Sequence, residues 1–184
     1  MKILLTGKPG TGKTTVVEKL SSCSPFPACG FLTCEIREGG QRKGFSIEPL
    51  GFQMGKATLA HKDYPSSHRV GSYGVFPEVL DPFITEIRKK LNSEVASQTL
   101  FLVDEIGKME LFNQDFFPLV EKLLKTPEIK VVATILAARN PRTDSLKAIR
   151  GVKIIEVTPQ NRKALPAQMA QEMGGENIDG RGRN

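Results

Sequence analysis

The chain has no tryptophan, two tyrosines and two histidines among its 184 residues, so it offers little for stacking nucleic-acid bases. Its three cysteines, Cys23, Cys29 and Cys34, are odd in number, and their spacing fits no common zinc pattern. Reduced, mostly packed thiols are the expectation. No apolar run approaches the ~20 residues that a membrane span needs. The N-terminal apolar run is short and ends in glycine, which does not fit an export signal. A cytoplasmic location follows as an expectation. Lys and Arg number 26 against 20 Asp and Glu, a net charge of +6, with no block of like charge. A dispersed basic balance suits a small anionic ligand, and nucleic acid is not indicated. There is no internal repeat and no linker, and 39% of residues are hydrophobic, so one α/β domain over 1–173 is expected. The end of the chain, Gly174 to Asn184, has one apolar residue and should be disordered.

What is present begins at once. Ile3-Leu4-Leu5 is an apolar run leading into Gly7, Lys8, Pro9, Gly10, Thr11, Gly12, Lys13, Thr14 and Thr15, after which Val16, Val17 and Leu20 recur on one helical face. Strand, glycine-rich loop and helix with the spacing G-x-x-x-x-G-K-T make a phosphate-binding loop. The glycines permit positive φ and close backbone approach, so successive N–H groups can cradle an anion at a helix N-terminus. Lys13 then sets a charge on the β- and γ-phosphates, and the Thr14 hydroxyl can ligate Mg²⁺.

Further on, Gly30 to Ile36 and Lys43 to Leu50 flank Glu38-Gly39-Gly40-Gln41 and read as an antiparallel hairpin. Lys56 to His61 is another short segment, and Lys62 to Phe76 lacks periodicity, so a loop lying over the site is expected there. Pro77 opens a helix whose stripe is Leu80, Phe83, Ile84, Ile87 and Leu91. A helix from about Asp115 to Lys125, a short one over Thr143 to Arg150 and helical character around Asn161 to Met173 complete the helices. Thr99 to Val103, Lys130 to Leu136 and Val152 to Val157 read as strands. Alternating strands and helices give a predominantly parallel sheet covered on both faces, with an antiparallel hairpin beside it.

The second stretch expected to bind nucleotide is Leu100, Phe101, Leu102, Val103, Asp104, Glu105, Ile106 and Gly107. A buried strand ending in an acid places Asp104 to hold Mg²⁺ together with Thr14. Glu105, next along, can orient and deprotonate a water in line with the γ-phosphate. Glu110 is its competitor, because Gly107-Lys108-Met109 can turn back towards the metal.

With Gly7 to Thr14, the hairpin Gly30 to Ile47, the string DEIGKMEL (Asp104 to Leu111) and VTPQNR (Val157 to Arg162), the chain resembles the small nucleoside-triphosphatases, the family that includes the cancer-related NTPase. The resemblance covers roughly residues 1 to 170. It implies a three-layer P-loop fold with a RecA-like sheet and slow, Mg²⁺-dependent hydrolysis of ATP, GTP and other nucleoside triphosphates to diphosphate and phosphate. By matching position it implies phosphate binding at Gly7 to Thr14, the metal at Asp104 and catalysis by Lys13 and Glu105. The stretch ILAARNP departs from the proline-containing segment expected of relatives.

No N-K-x-D string exists to read guanine, in keeping with loose base choice. A small-molecule or nucleotide kinase is the alternative enzyme, with the Lys56 to Phe76 stretch as its acceptor pocket; an ATPase module coupled to nucleic acid or protein is a further one. Glu105 beside the magnesium acid favours hydrolysis over the kinase, and the coupled module lacks the basic stripe and recognition motif it would need. A transition-state arginine must come from a distance. Arg139 and Arg142 are preferred to Arg37 and Arg42, because residues beyond strand C-termini gather at the ligand crevice of parallel sheets.

Overall fold

The structure is a computed structural model, and it describes residues 1–175. Its framework is one sheet of nine strands. In chain order these are β1 (Lys2–Thr6), β2 (Ala28–Glu38), β3 (Gln41–Leu50), β4 (Ala57–His61), β5 (His68–Val70), β6 (Tyr73–Val75), β7 (Leu100–Ile106), β8 (Lys130–Ile135) and β9 (Lys153–Glu156). The helices are α1 (Lys13–Cys23), α2 (Asp81–Leu91), α3 (Phe116–Lys125), α4 (Pro141–Lys147) and α5 (Leu165–Gly175).

The strand order is β5-β6-β4-β3-β2-β7-β8-β1-β9. From β2 to β9 every pairing is parallel, whereas β3, β4, β6 and β5 add on antiparallel. The RecA-like expectation is met in the parallel half, where β8 stands between the loop strand β1 and the acid strand β7.

Residues two apart on a strand share a face, and the core divides accordingly. Ile3, Leu5, Leu100, Leu102 and Val132 pack with α1 and α5 through Val16, Val17, Leu20, Leu165, Met169 and Met173. Their alternates Leu4, Phe101, Val103, Val131 and Ala133 pack with α2, α3 and α4 through residues such as Phe83, Ile87, Leu119 and Leu146. Both faces are thus covered, as the continuous apolar runs of β1, β7 and β8 require. A fully buried Leu, Ile or Phe contributes about 1.5–3 kcal/mol by leaving water, so this two-sided core is what holds the strand ends rigid.

The helix following β1 lies on one face and the helix following β8 on the other. The carboxyl ends of these neighbouring strands therefore flank a switch point, where a crevice opens in parallel α/β sheets.

Three expectations are corrected. Lys62 to Phe76 is not simply a loop: β5 and β6 form a hairpin within it, turning at Gly71 with φ +58°. Strands of three residues are too short to display a period of two, which is why no pattern was readable. Pro77 opens a 3₁₀ turn, Pro77–Leu80, and α2 starts only at Asp81, although the predicted stripe is buried as expected. The C-terminal helix extends through Gly174 and Gly175, into the segment expected to be disordered; the remainder of that segment lies outside the described residues. Pro118 sits in the first turn of α3 and Pro166 in that of α5, where a missing N–H costs no helical bond.

All three cysteines are free. Burial pushes the Cys29 and Cys34 thiols up to about 11, which keeps both protonated at neutral pH; Cys29 is buried and Cys34 half-buried. No helix among the described residues is long and apolar enough to cross a membrane.

Candidate active site

Strand β1 ends at Thr6 and α1 begins at Lys13, leaving Gly7 to Gly12 to form the loop. Gly7 has φ +147° and Gly12 has φ +96°, which side-chain-bearing residues rarely adopt. A Cβ on Gly7 would also lie 2.7 Å from the Val157 carbonyl oxygen, so the segment after β9 packs directly on the loop. Gly12 caps α1 without any side-chain hydrogen bond, and no acid stands in the helix's first turn. Its leading N–H groups are left for an anion, at the positive end of the helix dipole. Lys13 Nζ donates to the Gly7 carbonyl at 3.3 Å, curling back over the loop.

Asp104 lies near the end of β7 and is 1% exposed. Thr134 Oγ1 on β8 donates to its Oδ1 at 2.5 Å, and the Thr33 N–H on β2 donates to its Oδ2 at 3.4 Å. Thr33 Oγ1 donates to the Asp104 carbonyl at 2.5 Å, and the Thr14 hydroxyl across the site is among the groups that hold the Asp104 pKa down. Burial raises the Asp104 pKa, opposed by Thr134, Thr14, the Thr33 amide and the Lys13 charge. The aspartate is thus fixed from both neighbouring strands and faces the charge of Lys13.

Among the described residues no group of three or more His, Cys, Asp or Glu could hold a metal. Mg²⁺ needs no such cage, because it is commonly held by one or two protein oxygens, substrate phosphates and water. The hard-oxygen pair Thr14 and Asp104, whose electrostatics are coupled across the site, fits that ion.

Glu105 follows through a cis peptide bond and is partly exposed. Burial raises its pKa, the Lys13 ammonium opposes, and the neighbouring Asp104 adds to the rise. Such a carboxylate can take a proton from water more readily than an ordinary surface glutamate. Glu110 does turn back, as its spacing allowed. Its Oε2 accepts the Gly107 N–H at 3.1 Å, and at 4% exposed it is a buried clasp on the Gly107 to Leu111 turn. Burial pushes it up to about 8, with Glu105 and Asp104 adding to the rise.

Leu100, Phe101, Leu102 and Val103 are buried strand residues, and Ile106 is 0% exposed. The expectation that these five bind nucleotide themselves is corrected: packed in the core on both faces of the sheet, they carry Asp104 and Glu105 to the crevice as scaffold. Gly107 gives room to Glu110, whose Oε2 would lie 2.8 Å from a Cβ there. In the loop, Thr11 Oγ1 donates to the Lys8 carbonyl at 2.9 Å, closing the Lys8-Pro9-Gly10-Thr11 turn. Thr15 stands in the first turn of α1.

The arginines part ways. Arg37 and Arg42 both pair with Glu35 on the exposed hairpin, at 2.6 and 2.9 Å. Arg142 Nη1 donates to the Leu111 carbonyl at 2.9 Å, and its guanidinium stands 4.7 Å from the Phe117 ring centroid. It borders a cleft of about 520 Å³ whose other cations are Arg69 and Lys108. The β5–β6 hairpin reaches this cleft too, and His68 meets the Phe112 ring at 4.9 Å between centroids. Arg139 is exposed, after β8, and its charge acts on Asp144. A further arginine, Arg162, reaches the loop itself: its Nη1 donates to the Thr11 carbonyl at 3.4 Å.

A family model described as NTPase matches residues 2–170. The chain belongs to this NTPase family. Nucleoside-triphosphatase THEP1 of Thermotoga petrophila is 42% identical over 165 residues, covering 90% of this chain and 88% of that protein. The crystal structure of THEP1 from Aquifex aeolicus superposes with a TM-score of 0.79 at 35% identity, over 92% of this chain and 96% of that one. The solution structure of a human cancer-related nucleoside triphosphatase gives a TM-score of 0.74 at 30% identity, over 98% of both chains. The resemblance read from the sequence is therefore correct for this NTPase.

Sequence reasoning missed Thr33, Thr134 and Arg162. Thr134 could have been found, as the sole hydroxyl in the otherwise apolar run Val131 to Ile135. Arg162 lay within the VTPQNR string without a role attached to it.

Proposed function

We propose that this NTPase hydrolyses the Mg²⁺ complex of nucleoside triphosphates, with Gly7 to Thr14 cradling the phosphates and Glu105 acting as the base. The observation that carries the reading is the buried Asp104, held by Thr134 and Thr33 and acted on by Thr14 and Lys13 of the loop region, with the partly exposed Glu105 next in sequence. Loop N–H groups and Lys13 neutralise the β- and γ-phosphate oxygens. Thr14 and Asp104 hold the metal, which supplies further charge neutralisation when bound. Glu105 takes a proton as the water oxygen bonds to the γ-phosphorus. The bond from that phosphorus to the β–γ bridging oxygen breaks, and nucleoside diphosphate and phosphate leave. Broad base choice belongs to this reading, and the lack of an N-K-x-D string agrees with it.

Phosphate release measured with Asp104→Asn and Glu105→Gln tests these roles. The first should weaken Mg²⁺-dependent nucleotide binding as well as turnover, since an amide is a poorer ligand for the ion. The second should lower kcat by at least about tenfold with affinity nearly intact. Normal hydrolysis by Glu105→Gln, with loss in Glu110→Gln, would transfer the base role to Glu110. The cleft bordered by Arg69, Lys108 and Arg142 favours a second reading, transfer to an anionic acceptor. Stoichiometric inorganic phosphate release in the presence of phosphorylated acceptors would dismiss it.

A further inference from the structure

The segment after β9 is built against the phosphate loop by interactions that hydrolysis does not by itself require. The Val157 N–H donates to the Thr6 carbonyl at 2.7 Å, extending β9's hold on β1 to the root of the loop. The next turn is tied through Asn161. Its Oδ1 accepts the Thr158 N–H at 2.8 Å, and its Nδ2 donates to the Glu156 carbonyl at 2.8 Å. Its own N–H donates to Thr158 Oγ1 at 3.3 Å, and the Arg162 N–H closes on the Thr158 carbonyl at 3.0 Å. Backbone position and direction at Arg162 are therefore fixed.

From there the Arg162 side chain crosses the loop at Thr11 and Gly12. Beyond the bond to the Thr11 carbonyl, its Cδ would lie 3.4 Å from a Cβ on Gly12, so the arginine stem occupies the space that this glycine leaves. The residue is exposed on its other side, and among the described residues its guanidinium pairs with no carboxylate.

The side of the loop decides what this cation can meet. Asp104 and Glu105 lie on β7, beyond β8, so the reacting γ-phosphate must face that flank. Arg162 arrives from β9, on the opposite side of β1. A triphosphate lying along the loop with its γ end towards the acids directs its nucleoside end to the β9 flank. A guanidinium held there by its edge presents a flat cationic face, which stacks on any planar ring regardless of its hydrogen-bonding pattern.

We propose that Arg162 is the nucleoside-positioning residue of this NTPase, a platform on which the nucleobase stacks whatever its identity. The inference rests on the NTPase reading of the loop. It supplies a physical means for one site to accept several bases, since stacking reads no base edge.

The test compares wild type, Arg162→Ala and Arg162→Lys with three probes: ATP, GTP and inorganic tripolyphosphate, which lacks base and ribose. Calorimetry gives Kd with Mg²⁺, and phosphate release gives kcat and KM. The expected result is a rise of about threefold to thirtyfold in Kd and KM for ATP and GTP alike in Arg162→Ala, with kcat within about twofold. Tripolyphosphate affinity should be unchanged. Arg162→Lys, which keeps the charge and loses the plane, should resemble Arg162→Ala. Equal loss for tripolyphosphate would overturn the proposal, because the arginine would then serve the phosphates or shape the loop. Full rescue by lysine, or unchanged Kd for both nucleotides, would overturn it as well. If wild type bound nucleotides without hydrolysing them, the hydrolase reading would fail, and the affinity comparison would still decide the role of Arg162.

Discussion

Glu110 turns the electrostatics of the site into a stability measurement. Its carboxyl is 4% exposed, accepts one backbone N–H, and stands within the influence of Glu105 and Asp104. Burial raises its pKa from an ordinary 4.5 to about 8. The folded state therefore keeps a proton that the unfolded chain releases as pH rises through the ordinary value. Because the native state binds more protons across this window, stability falls with rising pH, and the loss is complete once pH exceeds the folded value. At 1.36 kcal/mol per unit, the gap corresponds to about 5 kcal/mol between acid and alkaline conditions. Relaxation around the ionised group reduces this, and a net effect of about 2–5 kcal/mol is expected.

Asp104 and Glu105 also have raised pKa values, so the slope of the wild type alone would not isolate Glu110. Glu110→Gln does so, because an amide has nearly the shape of the neutral carboxyl and cannot ionise. Urea unfolding of the nucleotide-free protein, wild type against Glu110→Gln, would be followed by circular dichroism at about pH 5.5 and about pH 9. About 2.5 units of that gap lie between the two conditions, so the variant should gain on the wild type by about 1.5–3 kcal/mol, with unchanged m-values. Parallel behaviour of the two proteins, within about 0.5 kcal/mol, would refute the reasoning and mean that Glu110 ionises without penalty in the folded chain.

Lys13→Ala should reduce phosphate release by at least about a hundredfold and weaken nucleotide binding. Its melting temperature should stay near wild type, since Lys13 makes one long bond to the Gly7 carbonyl in the free protein. Arg139→Ala should lower kcat with little change in KM if that exposed residue swings to the transferred phosphoryl group, as steady-state kinetics would show. Arg142→Ala should lower kcat in the same manner and also destabilise by about 0.5–1 kcal/mol in urea titrations, through its contact with Phe117. Wild-type kcat in both variants, and in alanine variants of Arg37 and Arg42, would move the search to Arg69, to Arg162 or to an arginine supplied by a partner.

Wherever the candidate chemistry lies on residues adjacent in the chain, the sequence by itself determined where those groups stand in the fold. The Gly7 to Thr14 spacing is a local requirement of phosphate binding, so the loop, the strand before it and the helix after it were legible without a structure. The same holds for β7 running into Asp104 and Glu105, for the buried stripe of α2, and for parallel strands whose apolar runs need cover on both faces. Tertiary structure decided what depends on neighbours distant in sequence. Thr134 and Thr33 reach Asp104 because β8 and β2 flank β7, an order set by packing rather than by any local pattern. The β5–β6 hairpin was hidden by its brevity, since three-residue strands take their conformation from the sheet edge they join. The preference for Arg139 and Arg142 followed the strand-end rule, and the fold put Arg162 on the loop as well, from beyond a different strand. Charge and motif identify which groups can do chemistry, whereas only the pairing of strands distant in the chain determines which of those groups meet.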